Sequence, residues 1–302
     1  MVGRTICAIG FLLACGAVCG AQQTAGPAVA TQQARPLLAP INSPEIDALA
    51  KSILEKVRAG KATSIVLVGG GTSEFKVSEL GVSLREGLNE ALLRQAAGVR
   101  VFTTADVSDV LKRNRVSESM VYCNPLADWI AAYAHADAAV ILQMDGVKNG
   151  GNLISVEMFD ERKPKTIDKK KKIAIPDARF ESSLVLTNEQ AVLAGHEYHA
   201  PTDTSIPEGG KNGIEMPMCV YCPKPDYTEE GRQARFFGTV YLEAVVRPDG
   251  KADDIRVTRP VGHGLDGTAV SALLGWQFGP RADSEGHPLA TRVSFQMMFQ
   301  LY

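Results

Sequence analysis

The sequence predicts two folded regions: an α/β domain over residues 44–175 and a small α+β domain over residues 217–302, the latter with a three-stranded antiparallel sheet and two helices. Two patterns carry this prediction. In the first region, short apolar strands alternate with helical stretches, which is typical of a layered α/β fold. In the second, apolar and polar residues alternate from Thr291 to Leu301, as expected of a strand with one face on a core and one face in water.

Length and composition fit a soluble globular protein. The chain has 302 residues, which is enough for two domains that each bury a core. Hydrophobic residues make up 45% and charged residues 22%, and the formal net charge is -2. Because binding to a phosphate backbone needs a basic surface, we expect no nucleic-acid partner.

Residues 1–21 have the composition of an export signal. Arg4 supplies a positive start, an apolar stretch follows, and small residues allow cleavage after Ala21. Two other interpretations stay open: an uncleaved membrane anchor over the same stretch, and a lipoprotein acylated at Cys15. All three export the rest of the chain, so we expect a location in the periplasm or cell envelope. Residues 22–43 are rich in Gln, Ala and Pro and predict a flexible lead-in.

Helical and strand patterns follow one another through residues 44–175. Apolar residues at helical spacing predict amphipathic helices that begin near Ile46 and Leu80. Continuous apolar runs near Ser64 and Ala138 predict strands covered on both faces. The predicted order is helix 46–57, strand 64–68, helix 80–95, strand 99–102, helix 105–112, helix 125–135, strand 138–144 and strand 153–160.

A linker is predicted at residues 176–216, where Pro, Gly and charged residues mix with little periodicity. The C-terminal region then reads as helix, strand, strand, helix, strand. Arg247-Pro-Asp-Gly250 is a turn signal between the first two strands. The predicted elements are helix 227–234, strand 239–246, strand 254–258, helix 265–276 and strand 291–301.

The C-terminal region resembles the C-terminal domain of TonB-family proteins. The resemblance covers a little over a quarter of the chain and rests on motifs in a fixed order. They are Pro225-Asp-Tyr227, Gly238-Thr-Val-Tyr-Leu242, Pro248-Asp-Gly250, Gly262-His-Gly-Leu-Asp266, Trp276-Gln-Phe-Gly-Pro280 and the terminal strand. The resemblance implies binding of a short peptide on an outer-membrane transporter, which adds as an extra strand. It also implies energy transduction from a proton-driven inner-membrane motor, if the chain is anchored.

Residues 44–175 are similar, more loosely, to the N-terminal α/β domain of TolB and to curli-secretion-type envelope proteins. The similarity lies in the order of a strand, a long helix, the segment from Val99 to Leu111, and the segment from Ala134 to Leu142. It implies an envelope-associated, non-catalytic domain. The chain departs from the TonB pattern in one respect: a folded domain occupies the place of that family's long Pro-rich spacer.

Cys219 and Cys222 form a CxxC motif with three interpretations: a local disulfide, a redox site and half of a zinc site. A redox cysteine at a helix N-terminus is opposed by the prolines at 223 and 225. A zinc site needs four ligands, and the chain has no second CxxC. The sequence therefore favours a disulfide formed in an oxidising compartment, with Cys123 left as a free thiol or an intermolecular link.

Other candidate motifs lack the spacing that their chemistry needs. His196 and His199 are three residues apart, whereas the metalloprotease motif needs four on a helix. Gly69-Gly-Gly71 follows a strand but lacks the Lys-Ser/Thr of a phosphate-binding loop. We therefore expect no enzyme activity, no cofactor and no metal ion.

Three hypotheses for function follow. In the first, the protein is an exported envelope protein whose terminal strand pairs with an extended peptide through backbone hydrogen bonds. In the second, it is an envelope structural or assembly protein whose C-terminal module docks or forms a homodimer. In the third, it is a CxxC thiol oxidoreductase. Under the first hypothesis, the predicted partner contacts are Pro225, Tyr227, Arg292, Ser294, Gln296 and Gln300.

Overall fold

The computed structural model describes residues 40–72, 76–148, 151–160, 180–184, 197–198, 202–279 and 287–301. The predicted export signal, the lead-in up to residue 39 and the pair His196 and His199 lie outside the described residues. Within the described ranges, no helix combines the length and the apolar character needed to cross a bilayer.

The N-terminal region is an α/β layer built on a five-stranded sheet. The sheet order is β2-β1-β3-β4-β5. Strand β1 pairs in parallel with β2 and β3, whereas the β3–β4 and β4–β5 pairs are antiparallel. The strands are β1 (Ser64–Gly71), β2 (Arg100–Val101), β3 (Ala138–Lys148), β4 (Gly151–Asp160) and β5 (Phe180–Leu184). The helices are α1 (Pro44–Ala59), α2 (Glu79–Gln95), α3 (Thr104–Arg113) and α4 (Ala127–Ala134), with 3-10 turns at Glu118–Tyr122 and Asn124–Leu126.

Side-chain caps fix where these helices begin. The Ser43 hydroxyl accepts from the Ile46 amide at the start of α1. At α3, Thr103 and Asp106 form a capping box, in which each side chain accepts from the other residue's backbone amide. Such caps satisfy amides that have no partner inside the helix. The helices therefore begin where polar cap residues precede apolar stripes.

The C-terminal region has the predicted three-stranded antiparallel sheet and two helices. The sheet order is β10-β7-β8, and a second, two-stranded sheet pairs β6 with β9. The elements are β6 (Cys219–Tyr221), α5 (Glu229–Gln233), β7 (Gly238–Val246), β8 (Ala252–Arg259), α6 (Leu265–Gly275), β9 (Gln277–Phe278) and β10 (Thr291–Phe299). The fold class predicted from the sequence is confirmed. The small β6–β9 sheet was not predicted, because strands of two and three residues leave no periodic pattern.

The two regions share one hydrophobic core. A single cluster of buried side chains runs from Val66 and Leu126 in the α/β layer to Leu242 and Leu273 in the C-terminal region. The opposite face of the five-stranded sheet is covered by α1 and α2 in a second cluster. The C-terminal region therefore packs directly on the α/β layer, although the domain boundaries at residues 176–216 stay a prediction.

Candidate functional site

One rim of the three-stranded sheet, along β8, is covered by the protein's own α/β layer. The backbone of Ile255 donates to the Arg115 carbonyl and accepts from the Ser117 amide, both at 3.0 Å. The next outward amide, that of Val257, donates to the sulfur of Met120 at 3.2 Å. These contacts occupy the positions that an added strand would need on this side.

The other rim, along β10, has a backbone partner among the described residues only at its first outward position. The backbone groups of Arg292 point away from β7, since its amide donates to the Pro207 carbonyl at 2.8 Å and its carbonyl accepts from Gly209 at 2.9 Å. Strand geometry makes every second residue point the same way. The outward residues after Arg292 are therefore Ser294, Gln296 and Met298.

No other described residue hydrogen-bonds the outward backbone groups of Ser294, Gln296 and Met298. These three residues define what we call the β10 rim. A row of unpaired backbone donors and acceptors on an edge strand is a template for pairing with another chain. The β10 rim is therefore the candidate functional site.

Three of the predicted contact residues lie at or beside the β10 rim with exposed side chains. Ser294 and Gln296 are exposed on β10, and Gln300 is exposed just after it. Met298 on the same strand face is 63% exposed. The structure thus brings these polar predictions together with an exposed apolar side chain that sequence reasoning did not select.

Arg292 differs from the expectation that it faces water, because its side chain is only 7% exposed. Its guanidinium donates to the Asp203 carbonyl at 2.9 Å and lies 3.8 Å from the Asp254 carboxylate. The segment around Asp203 covers the start of β10. The Asp203 carbonyl and the Asp254 carboxylate compensate the buried charge of the Arg292 guanidinium. A direct contact of Arg292 with a partner stays a prediction.

Tyr227 and Pro225 precede α5, and Tyr227 belongs partly to the module's interior. The Tyr227 hydroxyl donates to the Phe236 carbonyl, and its ring meets Phe299 edge-on with centroids 5.8 Å apart. A Cβ on Gly231 would lie 2.8 Å from this ring, so the small residue permits a close approach. These contacts hold α5 against the end of β10, and a role for Tyr227 and the half-buried Pro225 in partner binding stays a prediction.

The predicted disulfide between Cys219 and Cys222 is present, with the two Cα atoms 6.1 Å apart. Cys219 lies in β6 and pairs with Phe278 of β9. The indole of Trp276 donates to the Pro223 carbonyl at 2.8 Å, just beyond the second cysteine. The first cysteine lies in a strand and not at a helix N-terminus, and the disulfide fixes the start of the C-terminal module.

Asp266 is a buried carboxylate at the start of α6, within the motif Gly262-His-Gly-Leu-Asp266. Its oxygens accept from the Gly262 amide at 2.7 Å and from the Val261 amide at 3.0 and 3.2 Å. Burial raises the pKa of Asp266 to about 6, although these hydrogen bonds act in the opposite direction. The thiol pKa of the nearby Cys123 is raised by its burial and by the Asp266 charge. Both groups lie inside the fold and not at the β10 rim.

Within the described ranges, no group of three or more His, Cys, Asp or Glu side chains is placed to hold a metal ion.

Residues 223–301 match the sequence family described as Gram-negative bacterial TonB protein C-terminal. This match covers about a quarter of the chain and all of its three-stranded sheet. Residues 223–301 are therefore a TonB-family C-terminal domain.

Several solved structures are similar to parts of the chain. The solution structure of the Pseudomonas aeruginosa TonB CTD is 23% identical, with a TM-score of 0.26, and the match covers 30% of this chain and 91% of that one. The LpoB C-terminal domain from Salmonella enterica is 12% identical, with a TM-score of 0.33 and coverage of 47% and 96%. Lipoprotein GNA1162 from Neisseria meningitidis is 15% identical, with a TM-score of 0.29 and coverage of 42% and 83%. No curated protein matches the chain. The similarity of residues 44–175 to TolB and curli-secretion proteins stays a prediction.

Proposed function

We propose that the protein is an exported cell-envelope protein that binds an extended peptide by strand addition to β10. One observation carries this proposal: the outward backbone groups of Ser294, Gln296 and Met298 have no hydrogen-bond partner within the described chain. The rest of the sheet is paired, and its other rim is covered at Ile255. In the part of the chain that the structure describes, β10 therefore offers a visiting strand an acceptor edge, on which backbone pairing gives affinity and side chains give specificity.

The partner that the TonB family resemblance implies is a short segment of an outer-membrane transporter. The protein would then act in transmembrane transport. Energy transduction from an inner-membrane motor would in addition require an anchored N-terminus. The Cys219–Cys222 disulfide supports export, because such bonds persist in oxidising compartments.

A second candidate function is that of a non-energised envelope structural or assembly protein. It is favoured by the shared core, in which the C-terminal module packs on α4 of the α/β layer. In this case the α/β layer would make the main partner contacts, and the module would dock or form a homodimer. In neither case do we propose catalysis by the Cys219-x-x-Cys222 pair, and an insulin-reduction assay on the wild type tests this.

A matched pair of substitutions at Gln296 distinguishes the two candidates. The Gln296 amide points away from β7, so Gln296→Pro removes a rim donor while the β7–β10 ladder is kept, as for proline on other edge strands. Gln296→Ala changes the side chain and keeps the donor.

The measurement is titration of the full chain with peptides from the periplasmic N-termini of outer-membrane transporters, followed by NMR. We expect binding to the wild type and to Gln296→Ala, and a loss of roughly tenfold or more in Gln296→Pro. No binding of any such peptide at millimolar concentration overturns strand addition. Equal binding by the two variants places the partner contact elsewhere.

A further inference from the structure

The chain itself already occupies the first position of the open strand β10. Glu208 forms a parallel bridge with Arg292. In this bridge the Arg292 amide donates to Pro207 at 2.8 Å, and the Gly209 amide donates to the Arg292 carbonyl at 2.9 Å. Residues 207–209, which we call the 207–209 clip, thus form an isolated β-bridge with the first outward residue of β10.

The 207–209 clip is held in place on both sides. Before it, the buried Arg292 guanidinium donates to the Asp203 carbonyl at 2.9 Å. After it, the chain turns at Gly210, whose φ is 79° and whose amide donates to the Ile214 carbonyl at 2.7 Å. A Cβ on Gly209 would lie 3.0 Å from the sulfur of Met216, which shows how closely this turn packs. The 207–209 clip therefore belongs to a folded turn.

What remains of β10 for a partner is short. From Ser294 to Met298 the strand spans five residues, or about 13 Å between the first and last Cα atoms at roughly 3.3 Å per residue. Three outward residues offer three donors and three acceptors, so an added strand can form up to about six backbone hydrogen bonds with them. Any extension of that strand past Ser294 meets the clip.

The side chains beside the β10 rim define the chemistry of the added strand. On one face the neighbours are Ser294, Gln296 and the exposed Met298. On the other face the neighbour is Phe295, a half-buried ring in contact with Trp276 and Phe278 at centroid distances of 5.7 and 5.6 Å. Cross-strand neighbours on one face interact directly. A fitting peptide therefore has apolar residues towards Phe295 and polar residues alternating with them.

We propose that the 207–209 clip is a built-in stop that sets the length and register of the partner strand. This inference rests on the proposed function. The clip limits the partner to about five paired residues of alternating apolar and polar character. At the Ser294 end, a longer strand gains no further pairing unless it displaces the two clip hydrogen bonds and exposes the Arg292 contacts.

A proline substitution can release the stop, because the turn backbone admits proline and the flexible Met216 side chain, whose sulfur is 3.0 Å from the added Cβ, can shift. Gly209 and Gly210 are the central residues of a turn from Glu208 to Lys211, and positive φ at the second position allows proline at the first. Gly209→Pro therefore removes the amide that binds the Arg292 carbonyl. The matched control is Glu208→Pro, because the Glu208 amide points away from β10 and both bridge hydrogen bonds survive.

The probes are two alternating Val-Thr peptides of five and nine residues, each with one terminal lysine for solubility. They are titrated into the full-length wild type and both variants. In the wild type and in Glu208→Pro, we expect the two affinities to agree within about twofold. In Gly209→Pro, the nine-residue peptide should gain at least about fivefold over the five-residue peptide, as expected for one to two added hydrogen bonds.

The two proposals fail separately in this experiment. A wild type that binds the longer peptide tenfold more tightly overturns the stop and leaves strand addition intact. If the ratio of the affinities of the nine-residue and five-residue peptides is the same in Gly209→Pro as in the wild type, the stop is also overturned and strand addition stays intact. If neither peptide perturbs the amides of Ser294, Gln296 and Met298 in any of the three proteins, strand addition itself is overturned, and the stop with it.

Discussion

The indole Nε1 of Trp129, on α4, donates a hydrogen bond to the Ser271 hydroxyl, on α6, at 3.1 Å. A Cβ on the neighbouring Gly267 would lie 3.3 Å from the Cβ of Trp129. The TonB-like module is therefore in close side-chain contact with the α/β layer at this helix pair. This packing, together with the Ile255 bridge, leaves β10 as the strand through which the sheet can accept a partner.

Gly267→Leu should destabilise the protein, because its side chain would overlap Trp129. Overpacking of this kind costs about 1–3 kcal/mol in free energy of unfolding. The control is Gly275→Leu in the same helix, since no atom lies within 4 Å of an added Cβ there. Urea denaturation monitored by circular dichroism provides the comparison, and equal loss in the two variants would contradict the packing argument.

Asp266 should make stability depend on pH in a defined direction. Burial raises its pKa from 3.8 to about 6 in the folded state, so the folded protein binds the proton more tightly than the unfolded chain. The stabilisation is complete below pH 3.8 and is lost as the pH rises through about 6. It amounts to at most about 3 kcal/mol.

Asp266→Asn removes this titration. We expect the free energy of unfolding of the wild type, relative to Asp266→Asn, to fall between pH 4 and 6.5 and to stay constant above it. Asp226→Asn, at an exposed carboxylate before α5, is the control for the Asp-to-Asn substitution itself. A difference that rises with pH would mean that the hydrogen bonds from Val261 and Gly262 outweigh burial.

Loss of the Cys219–Cys222 disulfide should lower stability moderately. The bond closes a loop of only about four residues, for which the chain-entropy estimate is about 2 kcal/mol. The double variant Cys219→Ser, Cys222→Ser is compared with the oxidised wild type by thermal unfolding. Adding reductant should bring the wild type to the level of the variant. A reductant effect that persists in the variant would point to another thiol.

The mature N-terminus should begin at Gln22, if the apolar start of the chain is a cleaved signal. Intact mass spectrometry of the protein purified from envelopes measures this directly. An added lipid mass on Cys15 would support the lipoprotein interpretation, and a full-length mass would support an anchor. An uncleaved anchor is the outcome compatible with coupling to an inner-membrane motor in the manner that the TonB resemblance implies.

Local patterns were enough to predict the strand that carries the candidate site. The alternation along β10 placed Val293, Met297 and Phe299 on the core face, and all three are buried. The same alternation predicted exposed side chains for Ser294 and Gln296, as observed. Arg292 departed from the pattern because its guanidinium is held by the Asp203 carbonyl and lies near the Asp254 carboxylate, and no periodicity reports a contact made by a residue 89 positions earlier in the chain (292 − 203).

The sequence by itself determined the fold class, the TonB-like module, the disulfide and the face of β10 that meets water, because each depends on spacing between near neighbours. Only the tertiary structure decided which rim of the sheet a partner can reach. That choice depends on Arg115–Ser117 covering β8 and on Pro207–Gly209 covering the start of β10. Backbone pairing between distant segments uses groups that every residue possesses, so it leaves no mark in the residue types themselves.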